Sequence, residues 1–390
     1  MNAQLPLFPV TVVGSWPRPA WLLEALRQRQ AGTLSFAEFQ EVADRAVLEA
    51  LRQQEEACID IVTDGEQRRD NFYSFVVEKL EGVRLMTVAE MLAYAEDKSF
   101  FEQVLRQRDV PAYAIKTPVV VDRVRLKAPL ALDELEFLRR QTARPIKVPL
   151  PGPYLLTRTM WVRGLSDRVY PTARDLAADI VGILRDEIIR LKDAGASFIQ
   201  LDEPALTEVV FQPPVRARTF MCASLSASTE DPSRELEWAT ELINRTVEGI
   251  EGVRVGVHIC RGNWTTNEAA LLTGSYEPLT GTLAGMRVTQ WVLEFATPRA
   301  GDLAVLKPLA GTREIGLGVV NPRTAEVESP EGIVSRVEAA LEYFRPEQVF
   351  LNPDCGFGTF AEAPVATPEV AAGKLRAMVR AAEILRRRYG

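Results

Sequence analysis

The stretch Arg254-Val255-Gly256-Val257-His258-Ile259-Cys260 reads as a short apolar strand that ends in two metal-binding side chains. Side chains alternate along a strand, so positions two apart point the same way. His258 and Cys260 therefore leave one strand end side by side. His258 is the only histidine in 390 residues, and Cys260 is one of four cysteines. Zinc favours tetrahedral sites built from Cys, His and carboxylate. Two further strand ends can complete such a set. Glu294 closes the run Trp291-Val292-Leu293, where an unpaired buried carboxylate would be costly, and Cys355 lies in Asn352-Pro353-Asp354-Cys355-Gly356. The competing readings are a hydrogen-bonded core histidine and a small apolar core cysteine. Against them, Cys355 sits in a turn bounded by proline and glycine, which is unsuited to simple packing. The expectation is one zinc ion held by His258, Cys260, Glu294 and Cys355 and used to activate a thiol. Cys58 is expected in the core, and Cys222, in an irregular stretch, has no assigned role.

Outward from this strand, seven similar runs alternate with longer helical patterns: residues 11–14, 60–63, 146–149, 198–201, 290–293, 314–319 and 349–352. With 254–258 they make eight. Each is followed by polar or special residues, among them Ser15, Asp64 and Glu66, Gly152, Asp202 and Glu203, Cys260, Glu294, Asn321, Asp354 and Cys355. Chemistry at the C-terminal ends of eight parallel strands is what a (β/α)8 TIM barrel provides. A doubly wound sheet is the second candidate, but it concentrates function at one switch point. Residues 85–143 break the alternation. A helical stretch at 88–108 precedes residues 119–127, where Arg123, Arg125 and Lys127 alternate with Val124 and Leu126. This pattern predicts an exposed strand or hairpin inserted between the second and third core runs. The chain is otherwise read as a single domain over 1–390.

Helix boundaries carry ordinary signals. Thr172-Ala173-Arg174-Asp175 resembles a capping start, and Ser329-Pro330 and Thr367-Pro368 place a cap before a first-turn proline. Arg386-Arg387-Arg388 suits the negative end of the last helix and reads as a solvated terminus.

Totals narrow the class. The chain is 47% apolar, long enough for one large barrel. Its 46 basic and 53 acidic residues give a net charge of −7, which offers no electrostatic case for nucleic acid. Four cysteines do not make a secreted disulfide framework. No signal peptide precedes the first run and no apolar run approaches membrane-spanning length, so a cytoplasmic enzyme without a membrane partner is expected.

The lone histidine excludes much. If it is a ligand, none remains for a Ser-His-Asp or Cys-His arrangement, and proton transfer falls to carboxylates, tyrosine or water. Asp64-Gly65-Glu66 and Asp202-Glu203-Pro204 end two core runs and could pair with a substrate ammonium group. The alternative is helix capping or salt bridging, with Arg68 or Arg69 as partners. Gly316-Leu317-Gly318 lacks the rest of a dinucleotide fingerprint.

Taken in order, Gly14-Ser15-Trp16-Pro17, Asp64-Gly65-Glu66-Gln67-Arg68-Arg69, Asp202-Glu203-Pro204-Ala205-Leu206, His258-Ile259-Cys260 and Asn352-Pro353-Asp354-Cys355-Gly356 resemble the catalytic barrel of the cobalamin-independent methionine synthase family. The resemblance runs from near residue 10 to near 360. It implies methyl transfer to homocysteine, zinc on His258, Cys260, Glu294 and Cys355, and contacts from Ser15, Glu66 and Asp202 to the homocysteine amino acid portion. Two departures stand out. Full-length members carry a second, N-terminal barrel, and where they have a proton-donating histidine after the seventh strand this chain has Asn321. In the expected barrel Asp202, Glu203 or Asp354 is near enough to handle a proton instead. The implied methyl donor is therefore methyltetrahydrofolate or a methylcorrinoid, which a corrinoid protein could carry. Two other expectations stand beside this one: a zinc-dependent alkyltransferase or lyase of the epoxyalkane:coenzyme M type acting on another thiol, and a non-catalytic zinc-stabilised protein.

Overall fold

Eight strands organise the described residues. In the computed structural model, which describes residues 5–94, 116–211, 231–362 and 364–390 together with 98, 99 and 102, β1 (Leu80–Thr87) and β2 (Lys116–Leu126) form an antiparallel ribbon. The other six are β3 (Lys147–Pro151), β4 (Phe198–Asp202), β5 (Arg254–Ile259), β6 (Gln290–Leu293), β7 (Glu314–Val320) and β8 (Val349–Pro353). They form one parallel sheet in chain order, each strand beside its sequence neighbour. Every residue of β3, β4, β6 and β8 is buried, which explains why these strands are mostly apolar: a parallel sheet is covered on both faces.

The first two runs behave differently. Val10 bridges Leu351, Thr11 bridges Ile61, and Val62 bridges Ile146, all in parallel sense. Residues 10–11 and 60–62 thus lie between β8 and the start of β3, but as single bridges rather than continuous ladders. Side chains take the place of ladder partners: Asp60 Oδ2 accepts from the Val10 amide at 2.7 Å, and Gln54 pairs with both the N–H and the C=O of Thr63. Backbone bonds to the neighbouring runs, such as Thr11 N–H to the Leu351 carbonyl and Val62 N–H to the Pro145 carbonyl, satisfy the rest.

Helices follow the expected signals. Thr172 and Asp175 form a reciprocal capping box for the helix Ala173–Asp193, which turns Leu176, Ile180, Leu184, Ile188 and Leu191 inward at helical spacing. Ser329 and Thr367 cap the helices Pro330–Ala340 and Pro368–Tyr389. Among the described residues no helix is long and apolar enough to cross a membrane.

Three expectations need correction. The strand expected at 119–127 pairs with a strand at Leu80–Thr87 that was not expected, and β2 is not simply exposed: Val119, Val120 and Val124 join the main core while Arg123 and Arg125 face outward. Arg386 is no solvated terminus, because its guanidinium binds the Leu7 carbonyl and Asp60 at 2.7 Å each and ties the last helix to the chain start. Cys58 is exposed, in a left-handed conformation (φ 62°) just past the helix Phe36–Glu56. Most of the stretch 88–108 and Cys222 lie outside the described residues; of the former, the short helix Val88–Met91 is present.

Candidate metal centre and thiol pocket

His258 lies in β5 opposite Asp202 of β4 and Val292 of β6. Its Nδ1 lies 3.2 Å from the Val292 carbonyl, so Nδ1–H donates there and Nε2 is the nitrogen left to bind a metal. Nε2 is buried and has no hydrogen-bond partner. Cys260 follows two residues on, held by Thr207, whose hydroxyl donates to the Cys260 carbonyl at 2.6 Å. Cys355 arrives from the end of β8. There Asp354 Oδ1 accepts from the Phe295 and Ala296 amides at 3.0 and 2.9 Å, locking the turn to the segment after β6. As a result, the donor atoms of His258, Cys260 and Cys355 all lie within 4.8 Å of one another, and all three residues are buried. The Cys355 thiol and burial push the Cys260 thiol well above its ordinary pKa.

Glu294, just past the end of β6, is not one of the three residues within 4.8 Å of one another, although its charge acts on His258. Its carboxylate accepts from the Arg261 amide and from Arg299 at 3.1 Å each, and from the Asn263 side chain.

Beside the cluster opens a pocket lined by Ser15, Glu66, Asp202, His258, Cys260 and Cys355 on its polar side. Glu66 is 2% exposed and adopts a left-handed conformation (φ 52°) that Asp64 stabilises by accepting from the Glu66 amide at 2.9 Å. A Cβ on Gly14 would strike the Glu66 carboxylate, so only glycine leaves room there. Glu66 Oε2 is buried without a partner, and burial raises its pKa to about 8 despite the opposing charges of Arg69 and Arg18. Asp202 accepts from Gln200 Nε2 at 2.8 Å, and burial raises its pKa to about 6. Arg68 and Arg69 do not neutralise this pair by direct ion pairing; they bind Asp44 and Glu134, each at 2.5 Å.

Two expected site residues face elsewhere. Glu203 accepts from the Tyr154 and Leu155 amides at 2.8 and 2.9 Å, anchoring the start of the helix Pro153–Met160. Asn321 caps its own turn, with Oδ1 accepting from the Arg323 amide at 3.1 Å. Neither lines the pocket. Conversely, Phe72, Asn263, Trp264, Thr359 and Phe360 do line it and carried no strand-end polar signal. The proximity of Asn263 and Trp264 to Cys260 in sequence was their one available clue.

The comparisons point to a single family. The family model for the cobalamin-independent synthase catalytic domain matches residues 8–384. The chain belongs to this family. The methionine synthase of Pyrococcus abyssi is 30% identical over 385 residues, covering 98% of this chain and 94% of that protein. That of Sulfurisphaera tokodaii is likewise 30% identical over 384 residues, with 98% and 94% covered. Among solved structures, a B12-independent methionine synthase from Shewanella sp. W3-18-1 in complex with selenomethionine superposes with a TM-score of 0.74 at 25% identity, covering 98% of both chains. The cobalamin-independent synthases depend on zinc in general. The donors here fit that ion: an unpartnered imidazole nitrogen with its tautomer set, and two buried thiols within reach of it.

Proposed function

We propose that this chain transfers a methyl group to the thiol of homocysteine to give methionine, as a zinc-dependent S-methyltransferase. The observation that carries the reading is the meeting of the His258, Cys260 and Cys355 donors with the Glu66 and Asp202 carboxylates in one pocket. Bound by His258, Cys260 and Cys355, with Glu294 as fourth ligand, zinc would supply the acidity that makes a thiol a thiolate at neutral pH. The chain's own residues do the rest. Asp202 and Glu66 receive the α-ammonium group, Ser15 contacts the amino acid portion, and Phe72, Trp264 and Phe360 exclude water from the apolar stem. In the reaction the donor–methyl bond breaks, a carbon–sulfur bond forms, and the thiol proton leaves to solvent. Two buried carboxylates oppose a sulfonate, so the pocket favours homocysteine over coenzyme M-like thiols.

The finer architecture follows the same reading. Residues 10–11 and 60–62 complete an eight-membered (β/α)8 barrel between β8 and β3, supported by their parallel bridges on both sides. The chain is one domain, with β1 and β2 as the inserted ribbon, and free Cys58, Cys260 and Cys355 suit a reducing cytoplasm. The donor is a small-molecule methyltetrahydrofolate or a methylcorrinoid, free or protein-borne. Asn321 supplies no proton to a folate nitrogen, which favours the corrinoid.

Metal-edge absorption spectroscopy of the zinc-loaded protein tests the reading. Homocysteine is expected to add one zinc–sulfur bond and to release a proton, measured by calorimetry in buffers of different ionisation enthalpy. An unchanged edge at saturating homocysteine would refute it.

A further inference from the structure

Lys147 opens β3 and is 1% exposed. Its Nζ donates to the Val12 carbonyl at 2.7 Å and to Gln200 Oε1 at 3.3 Å, and it lies 4.6 Å from the centre of the Phe198 ring. Among the described residues, none of these partners is a carboxylate. Burying an ammonium without an adjacent counter-charge is costly, and burial does pull the Lys147 pKa down to about 7, with Asp202 acting against the shift. Such a group needs a reason for its position.

Gln200 supplies one. It lies two residues before Asp202 on β4, so the two side chains leave the sheet on the same side. Its Nε2 donates to the Val13 carbonyl at 3.0 Å and to Asp202 Oδ1 at 2.8 Å. An ammonium can only donate. Lys147 therefore holds the Gln200 oxygen toward itself and turns both amide hydrogens toward Val13 and Asp202. Without Lys147 the buried Gln200 oxygen loses its donor, so the amide is less firmly held where its Nε2 orients Asp202.

We propose that Lys147 is a positioning residue for the thiol substrate: acting through Gln200, it holds Asp202 in the orientation that receives the substrate's amino group. The inference rests on the homocysteine reading above. The same contacts tie residues 12 and 13 to β3 and β4, and those residues lead directly to Ser15 at the pocket.

The test is calorimetric binding to zinc-loaded protein with two thiols, homocysteine and 4-sulfanylbutanoate, which lacks the amine. Lys147→Met is expected to weaken homocysteine about tenfold or more, the effect of losing an oriented hydrogen bond to a charged group, while leaving zinc content and 4-sulfanylbutanoate affinity unchanged. The double variant Lys147→Met/Asp202→Asn is expected to lose no more than Asp202→Asn alone. Should Lys147→Met fail to fold, Gln200→Met breaks the same link at similar volume and carries the same expectations. Equal losses for both thiols, additive losses in the double variant, or unchanged homocysteine affinity would each overturn the proposal. Absence of homocysteine binding by the unmodified protein would instead remove the functional reading on which it rests.

Discussion

Replacing Cys355 by alanine removes one of the three donors that the fold brings within 4.8 Å of one another. Zinc bound by four ligands in small domains is worth roughly 10–16 kcal/mol, or about 2.5–4 kcal/mol per ligand. That corresponds to a loss of roughly 10²- to 10³-fold in affinity. The Thr359 hydroxyl, 4.0 Å from the Cys355 sulfur, is no replacement, because hydroxyls are not among zinc's usual ligands. Chelator competition followed by elemental analysis reads the affinity and the stoichiometry, and exposed Cys58→Ser serves as the control that keeps both. The unmodified site also has a defined pH dependence. Cys260 has its pKa raised by the Cys355 thiol and by burial; for His258, burial lowers the pKa but Cys260 and nearby carboxylates outweigh it and raise it to about 9. Zinc must displace these protons, so affinity falls as pH falls, by up to about tenfold per unit for each proton displaced. Stoichiometric zinc at undiminished affinity in Cys355→Ala would refute the donor set.

Asp202→Asn is expected to weaken homocysteine binding by roughly 10- to 100-fold, the range for a hydrogen bond to a charged group, with zinc content unchanged; loss of zinc instead would place Asp202 in the metal site. Glu66→Gln tests burial of an unpartnered carboxyl. The Glu66 pKa is raised from 4.5 to about 8, so the unfolded chain loses this proton first and the group costs stability as pH rises from about 4.5 to about 8. The variant should therefore gain melting temperature over the unmodified, substrate-free protein at pH 8 but not at pH 4, measured by calorimetric melting. Asn321→His should raise turnover with methyltetrahydrofolate if a missing proton donor limits that substrate. Robust folate turnover by the unmodified protein, and none with any methylcorrinoid, would sink the preference for a corrinoid.

Much of this protein is local in origin and therefore visible in the chain. The six strands β3 to β8 are largely buried runs dominated by apolar residues, and His258 sits one residue before the end of β5 with Cys260 just beyond it. Capping at Thr172, Ser329 and Thr367 involves atoms three residues apart and needs no tertiary context. Other outcomes depended on groups far away in sequence. The first two runs pair as single bridges with Gln54 and Asp60 side chains binding nearby backbone, and Arg386 is tied down because Leu7 and Asp60 lie beside it. Glu203 and Asp202 are adjacent and both end a strand, yet successive side chains point to opposite sides: one anchors a helix and the other faces the pocket. Glu294 is a carboxylate at a strand end whose partners, Arg261, Asn263 and Arg299, are set by how two loops pack. Residue type and pleat determine which groups can do chemistry here, whereas long-range packing alone decides which partner each buried charge finds, since that charge is stable only where some distant donor happens to meet it.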